Sequence, residues 1–189
     1  MLDETATGSA RVIDFMPPRE KAADIVRIVE GVTGSVAMHS ELVIRFEYGR
    51  IVPWMRRIDH TRVAIAGPDG LCLRTPVEIH GEGFTTVSDF TVKAGERVPF
   101  VLTWFPSHEA IPDPVDTEIA LAETESFWEE WGAHDCLHGN DSAAIHDSLI
   151  VLKALTYDPT GGIVAAPTTS LPRGNRRRPQ LGLSLLLAT

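Results

Sequence analysis

Up to about Pro106 the chain alternates between apolar and polar positions with a period of two. Val36, Met38, Leu42, Ile44, Phe46 and Tyr48 fall on one face, broken only by Ser40. His39, Glu41, Arg45 and Glu47 fall on the other, with Val43. Alternation of this kind predicts strands that set one face on a core and the other in water. The same reading covers residues 10–16, 25–32, 62–66, 71–75, 84–92 and 98–105. Turn chemistry separates these runs: Gly31 to Gly34, Gly67 to Gly70 with Pro68 and Asp69 inside it, and Lys93 to Glu96. Glycine supplies the positive φ of tight turns, and Pro-Asp-Gly presets one. Short strands at this spacing predict an antiparallel β-sandwich. Pro53 and Pro76, which cannot donate to a ladder, belong at edges or strand ends.

After Pro106 the period changes. Pro112 and Pro114 stop the last strand, and a helix is expected from about Val115 or Asp116 to Gly132. Its apolar stripe is Ile119, Ala122, Trp128 and Trp131, with Glu118, Glu125, Glu129 and Glu130 mostly outside it. A second helix starts after Asn140 or Asp141, either of which can cap it, with Ala144, Ile145, Leu149, Leu152 and Leu155 at helical spacing. Ile150 and Val151 widen that stripe beyond what a surface helix needs. Tyr157 to Gly162 stops the helix, and residues 163–172 form a loop of small and hydroxyl side chains. No internal repeat is present.

Composition adds limits rather than an identity. The 189 residues are 43% hydrophobic and 23% charged, as in soluble globular proteins. Net charge is −9; Arg173, Arg176, Arg177 and Arg178 supply four positive charges with no acid after Pro172, which leaves −13 on residues 1–172. An acidic body argues against a nucleic-acid partner, because phosphate binding needs a basic surface. The longest apolar run, Leu181 to Ala188, falls far short of the ~20 residues of a membrane span. The N-terminus has neither a basic nor an apolar leader segment, and Cys72 and Cys136 alone make no disulfide framework. A soluble, cytoplasmic protein without a membrane partner is the expectation.

Candidate chemistry is sparse. A glycosidase needs two carboxyl groups, one to protonate the leaving oxygen and one to act as base or nucleophile. Glu123, Glu125, Glu129 and Glu130 are the densest acidic cluster, and they read as a solvated helix face. His134, Cys136 and His138 lack the spaced second pair that makes a zinc site, so no metal is expected. His39, His60, His80, His108 and His146 show no triad arrangement. Thr160 to Gly162 has neither the Walker lysine nor the Rossmann glycine spacing, and no cofactor is implied. No residue of the chain is assigned as catalytic.

Three stretches nevertheless resemble one family: Val12 to Pro18 (V-I-D-F-M-P-P), Phe100 to His108 (F-V-L-T-W-F-P-S-H) and Leu152 to Pro172, a long run ending A-A-P-T-T-S-L-P. Together they are similar to glycoside hydrolase family 15, the bacterial glucoamylase- and trehalase-like enzymes, over residues 3–172. The resemblance implies a mainly β fold. Residues 1–110 would be part of an N-terminal β-sandwich, 111–138 a linker helix, and 139–172 the first helix and loop of an (α/α)6 barrel. In such enzymes the barrel hydrolyses α-glucosidic bonds with inversion, through two glutamates downstream of any position here. Thr168, Thr169 and Ser170 would lie near the mouth of the sugar pocket. Trehalose or another α-glucoside would be a ligand of the intact parent enzyme only. Met1 falls midway through the family's sandwich, so an incomplete sandwich is expected.

Beyond Pro172 the resemblance stops. The family continues roughly E-x-x-G-G-x-R-N-W-D-Y-R-x-C-W-L-R-D, whereas this chain reads R-G-N-R-R-R-P-Q-L-G-L-S-L-L-L-A-T. Codons can be chosen for these residues so that the next frame reads E-E-I-G-G-V-R-N-W-D-Y-R-Y-C-W-L-R. Residues 173–189 are therefore expected to be a frameshifted tail, and the chain a non-catalytic fragment of a hydrolase. The competing reading is a free-standing β-sandwich module that binds a carbohydrate or a partner protein. An active hydrolase of unrelated mechanism is disfavoured by the missing acid pair.

Overall fold

The computed structural model describes residues 2–18, 22–58, 61–133, 142–157, 160–164 and 183–187. They form two compact units, Met1–Thr124 with Gln180–Thr189, and Glu125–Pro179. The strands of the first pair antiparallel, and it also takes in the start of a helix. Its strands are β1 (Leu2–Thr5), β2 (Gly8–Phe15), β3 (Asp24–Leu42), β4 (Trp54–Ile58), β5 (Thr61–Ala66) and β6 (Asp69–Arg74). They continue with β7 (His80–Glu82), β8 (Thr85–Lys93) and β9 (Arg97–Pro106). Residues 162–163 and 156–157 form a two-stranded ladder in the second unit, β10 (Thr156–Tyr157) with β11 (Gly162–Ile163). Residues 183–187 form β12 (Leu183–Leu187).

One strand organises the sheet unit. The first half of β3 pairs with β2 on one side and β9 on the other, within the order β1-β2-β3-β9-β6-β5-β4. Its second half leaves that layer and pairs with β8, which pairs with β7. A strand that switches layers makes the corner of a sandwich. The stretch Gly31 to Gly34, expected as a turn, is instead this corner, and β3 runs through it unbroken. Val32 is the extra residue there, since Ser9 stands opposite Thr33 and Ala10 opposite Gly31; such a bulge bends a strand and raises its twist. A methyl group on Gly31 would sit 2.0 Å from the Lys93 carbonyl oxygen, and the Gly31 amide bonds to the Glu96 carbonyl at 2.9 Å. Glycine is required here for close approach.

The interior lies between the two layers. Val36, Met38, Leu42 and Ile44 from the second half of β3 and the segment after it pack with Val29, Ala64, Leu73, Val92 and Phe100. These are the positions that the alternation placed on one face. Ser40, its single polar break, is buried directly opposite the buried Ser88 of β8. The face ends sooner than expected: β3 stops at Leu42, Phe46 is half-buried, and Tyr48 lies in a turn with 77% of its surface exposed. The opposite side of the first layer is covered as well. Val26, Ile28 and Val101 pack with Ile13, Phe15 and Leu121, and Val63, Cys72 and Phe105 pack with Ile58, Ile65 and Ile111. Each such aliphatic side chain contributes about 1.5–3 kcal/mol when fully buried. Asp24, buried on this side, accepts a hydrogen bond from the Thr103 hydroxyl opposite it.

Helix α1 (Thr117–Ala133) starts where Asp116 caps it, the carboxylate accepting from the Glu118 and Ile119 amides at 3.0 and 3.1 Å. Its stripe differs from the one expected. Ala120 and Thr124 are the buried positions, with Leu121, Trp128 and Trp131 half-buried, while Ile119 is exposed. Small side chains admit the helix backbone close to its support, which a hydropathy pattern does not reveal. In the second unit, α2 (Ser142–Ala154) starts at the expected place, and its half-buried positions are His146, Leu149, Ile150 and Lys153. Ile145, Val151 and Leu152 are exposed, so the wide apolar stripe is real but largely open to solvent. Phe127, Trp128 and Trp131 form an edge-to-face aromatic row, with the Lys153 ammonium over the Phe127 ring.

Candidate functional site

The residues singled out from the sequence do not converge. Thr168, Thr169 and Ser170 lie outside the described residues, as do His134, Cys136, His138 and His60. Glu123, Glu125, Glu129 and Glu130 are all exposed on α1. No cluster of three or more His, Cys, Asp or Glu side chains is placed to hold a metal among the described residues. None of the described helices is long and apolar enough to cross a membrane.

The geometry points elsewhere, to a cleft of about 270 Å³ at the open end of the sandwich. Leu42 and Ile44, leaving the second layer, meet Val52 and Pro53, which lead into β4 of the first, and Met55 within β4; these five form an apolar floor. Polar groups stand above it: Arg45, Arg62 of β5, and His80 and Glu82 of β7. Arg62 Nη2 donates to the Ile79 carbonyl at 2.7 Å, and Arg45 Nη1 donates to the Ile44 carbonyl at 2.7 Å and to that of Phe84 at 3.4 Å. These tethers hold each guanidinium by one nitrogen.

Two turns of the sheet unit hold residues at positive φ, and one of them lines the cleft. Between β7 and β8, Gly83 and Phe84 both have positive φ, +52° and +65°, the pattern of a type I′ hairpin. Such a turn favours Asn-Gly or Gly-Gly, and a bulky residue in its second position is strained. Phe84 is nonetheless there, lining the cleft and 79% exposed. In the turn bridged by Phe46 and Ile51, Glu47 and Tyr48 likewise have φ of +50° and +55°, followed by Gly49 at +88°.

Electrostatics elsewhere in the unit serve cohesion. Glu30 receives Arg11 and Arg97, whose hydrogen bonds hold its carboxyl below the usual range, and Glu30 in turn raises Arg97. Arg27 pairs with Asp14. His39 lies between Asp89 at 2.7 Å and Glu41 at 3.2 Å, and the Asp89 hydrogen bond, then that of Glu41, raises its pKa above the ordinary histidine value. Burial pushes the Cys72 thiol up, which makes it an inert core residue rather than a nucleophile.

Sequence reasoning missed the cleft because its components are dispersed over residues 42–86 and include no recognisable motif. One signal was present: five arginines between residues 45 and 62 of a chain whose net charge is −9.

Set beside known proteins, the chain is similar in sequence to trehalases over most of its length. The chain is 25% identical over 166 residues to a trehalase of Thermoplasma acidophilum, covering 86% of this chain and 29% of that protein. It is 31% identical over 157 residues to a trehalase of Mycolicibacterium smegmatis, covering 78% and 23%, and 30% identical over 166 residues to a trehalase of Mycobacterium tuberculosis, covering 80% and 24%. Trehalase homologues thus match most of the chain, which spans about a quarter of the length of these curated relatives. No family model matches the chain, and no solved structure does.

Proposed function

We propose that this chain corresponds to a non-catalytic portion of a trehalase-like glycoside hydrolase of family 15, a β-sandwich followed by a linker helix and the first barrel helix. The similarity to trehalases over most of the chain carries the reading. The chemistry of the described residues supports the non-catalytic part. Inversion at an α-glucosidic bond requires two carboxyl groups about 6.5–9.5 Å apart across the bond. The cleft holds one carboxylate, Glu82, and the acids of α1 stand in solvent.

In the same proposal the parent acts on trehalose or another α-glucoside, with Thr168, Thr169 and Ser170 at the mouth of its sugar pocket. Residues 173–189 are a shifted frame of the motif that follows in the family, and sequencing the coding DNA tests this directly. A cytoplasmic setting belongs to the proposal too, supported by the free, buried thiol of Cys72. Incubation of the purified chain with trehalose and with maltotriose should release no glucose. Turnover by the chain alone, abolished by Glu82→Gln, would overturn the reading. A second reading, a free-standing binding module, is favoured by one observation, the formed cleft between the layers.

A further inference from the structure

The cleft at the sandwich mouth combines three features that together specify a ligand chemistry. The first is charge. Arg11, Arg27 and Arg97 are each paired with carboxylates. Arg45 and Arg62 have no carboxylate partner among the described residues, although the chain carries −9 overall. Each is anchored through one nitrogen to backbone carbonyls, and both arginines line the cleft. Among the described residues lining the cleft, the carboxylate facing these two permanent cations is Glu82, and His80 of the same strand lines it too. A planar guanidinium fork with unused donors fits a carboxylate better than any neutral group.

The second feature is the floor. Leu42, Ile44, Val52, Pro53 and Met55 are aliphatic, and a volume of about 270 Å³ is at the small end for a ligand pocket. It suits a body of about ten non-hydrogen atoms. The third is Phe84, whose ring is held at the rim by a backbone conformation that disfavours it. Strain kept at an exposed position, where glycine would relieve it and no packing demands an aromatic ring, is a mark of function.

We propose that this cleft is a binding site for a small amphipathic carboxylate. Its apolar body lies on the aliphatic floor against the Phe84 ring, and its carboxylate sits on Arg45 and Arg62. The site is independent of the hydrolase reading, since it neither needs nor supplies glycosidic chemistry.

Calorimetric titration of the full chain tests it, with hexanoate and phenylacetate as probes and hexanamide and glucose as controls. Both carboxylates should bind saturably, at about millimolar Kd for ligands of this size. Hexanamide should bind at least about tenfold more weakly, because a charge-assisted pair is lost. Arg45→Gln should weaken hexanoate by a similar factor, and Arg62→Lys, which keeps the charge but not the fork, by less. Phe84→Gly should weaken both probes while raising the melting temperature, a combination that a merely structural role would not produce. No saturation by either carboxylate in the well-folded chain would overturn the proposal. So would equal affinity for hexanamide, or binding of glucose in preference to hexanoate.

Discussion

The corner of β3 and the turns around Tyr48 and Phe84 all put backbone at positive φ and fill it with opposite kinds of residue. At the β3 corner, glycine occupies both critical positions, Gly31 against the Lys93 carbonyl and Gly34 at φ +61° against that of Thr7. In the turn of residues 46–51 and in the β7–β8 turn, positive φ is taken by Glu47, Tyr48 and Phe84, where the adjoining Gly49 and Gly83 have open space around them. The corner is built for packing and tolerates nothing larger than hydrogen. These turns have room for side chains and carry them in a conformation that costs about 1–3 kcal/mol per residue. Where glycine is sterically compulsory the structure uses it. Where it would merely relieve strain, the structure presents aromatic rings to solvent instead.

The sharpest way to break this contrast is to add one methyl group to each place. Gly31→Ala sets a carbon 2.0 Å from a backbone oxygen, so the β8–β9 turn or β3 itself must move. The loss should exceed about 3 kcal/mol, the range reserved for overpacking and backbone conflict. Gly49→Ala meets no atom within 4 Å and bears only the torsional cost of φ +88°, about 1–2 kcal/mol. Urea denaturation of the two variants beside the parent measures the difference. Equal losses would show that the corner relaxes freely and that its glycines are not there for close approach.

That corner also marks the limit of what the chain pattern conveys. Period-two alternation located β2, β5, β6, β8 and β9, although β5, β6 and β9 have buried residues on both faces, and Pro53 and Pro76 fall just outside β4 and β6 as their missing donors require. The start of α1 near Asp116 and the start of α2 were equally legible, being local chemistry. The β3 corner was not, since Gly31 to Gly34 reads identically whether a strand reverses or changes layers. What decides between them is the distant β8–β9 turn that bonds to Gly31. β4 and β7 were missed because they are short and exposed, with little alternation to read. The cleft exists only after the layers meet, which brings Arg62 and Glu82 to one mouth from separate strands.

These turns can be tested in the stabilising direction. Phe84→Gly removes a strained residue with 79% of its surface exposed, so little burial is lost. Glycine's extra freedom in the unfolded chain offsets part of the gain, and a net stabilisation of about 0.5–1 kcal/mol remains. Tyr48→Gly, at φ +55° and 77% exposed, should behave alike. A rise of a few degrees in melting temperature for both would confirm that the aromatic tips are held against stability. A fall would mean that the rings make contacts of their own and are structural.

The smallest effect concerns how the second half of β3, beyond the corner, is held to β8. Here backbone pairing is supplemented by one titratable bridge, His39 with Asp89 and Glu41. Both carboxylates raise the folded-state pKa of His39. The bridge therefore contributes fully below the unfolded histidine value of about 6.5 and fades as pH rises through the raised folded value. Stability should be lower at about pH 8.5 than at about pH 5.5 by the amount of this bridge, and His39→Gln should remove that part of the slope. The bridge is solvent-accessible, so added salt should shrink the difference. Urea denaturation of the parent and the variant at both pH values measures it. An unchanged slope in the variant would assign the pH dependence to other groups and leave the second layer held by its backbone ladder and apolar interior alone.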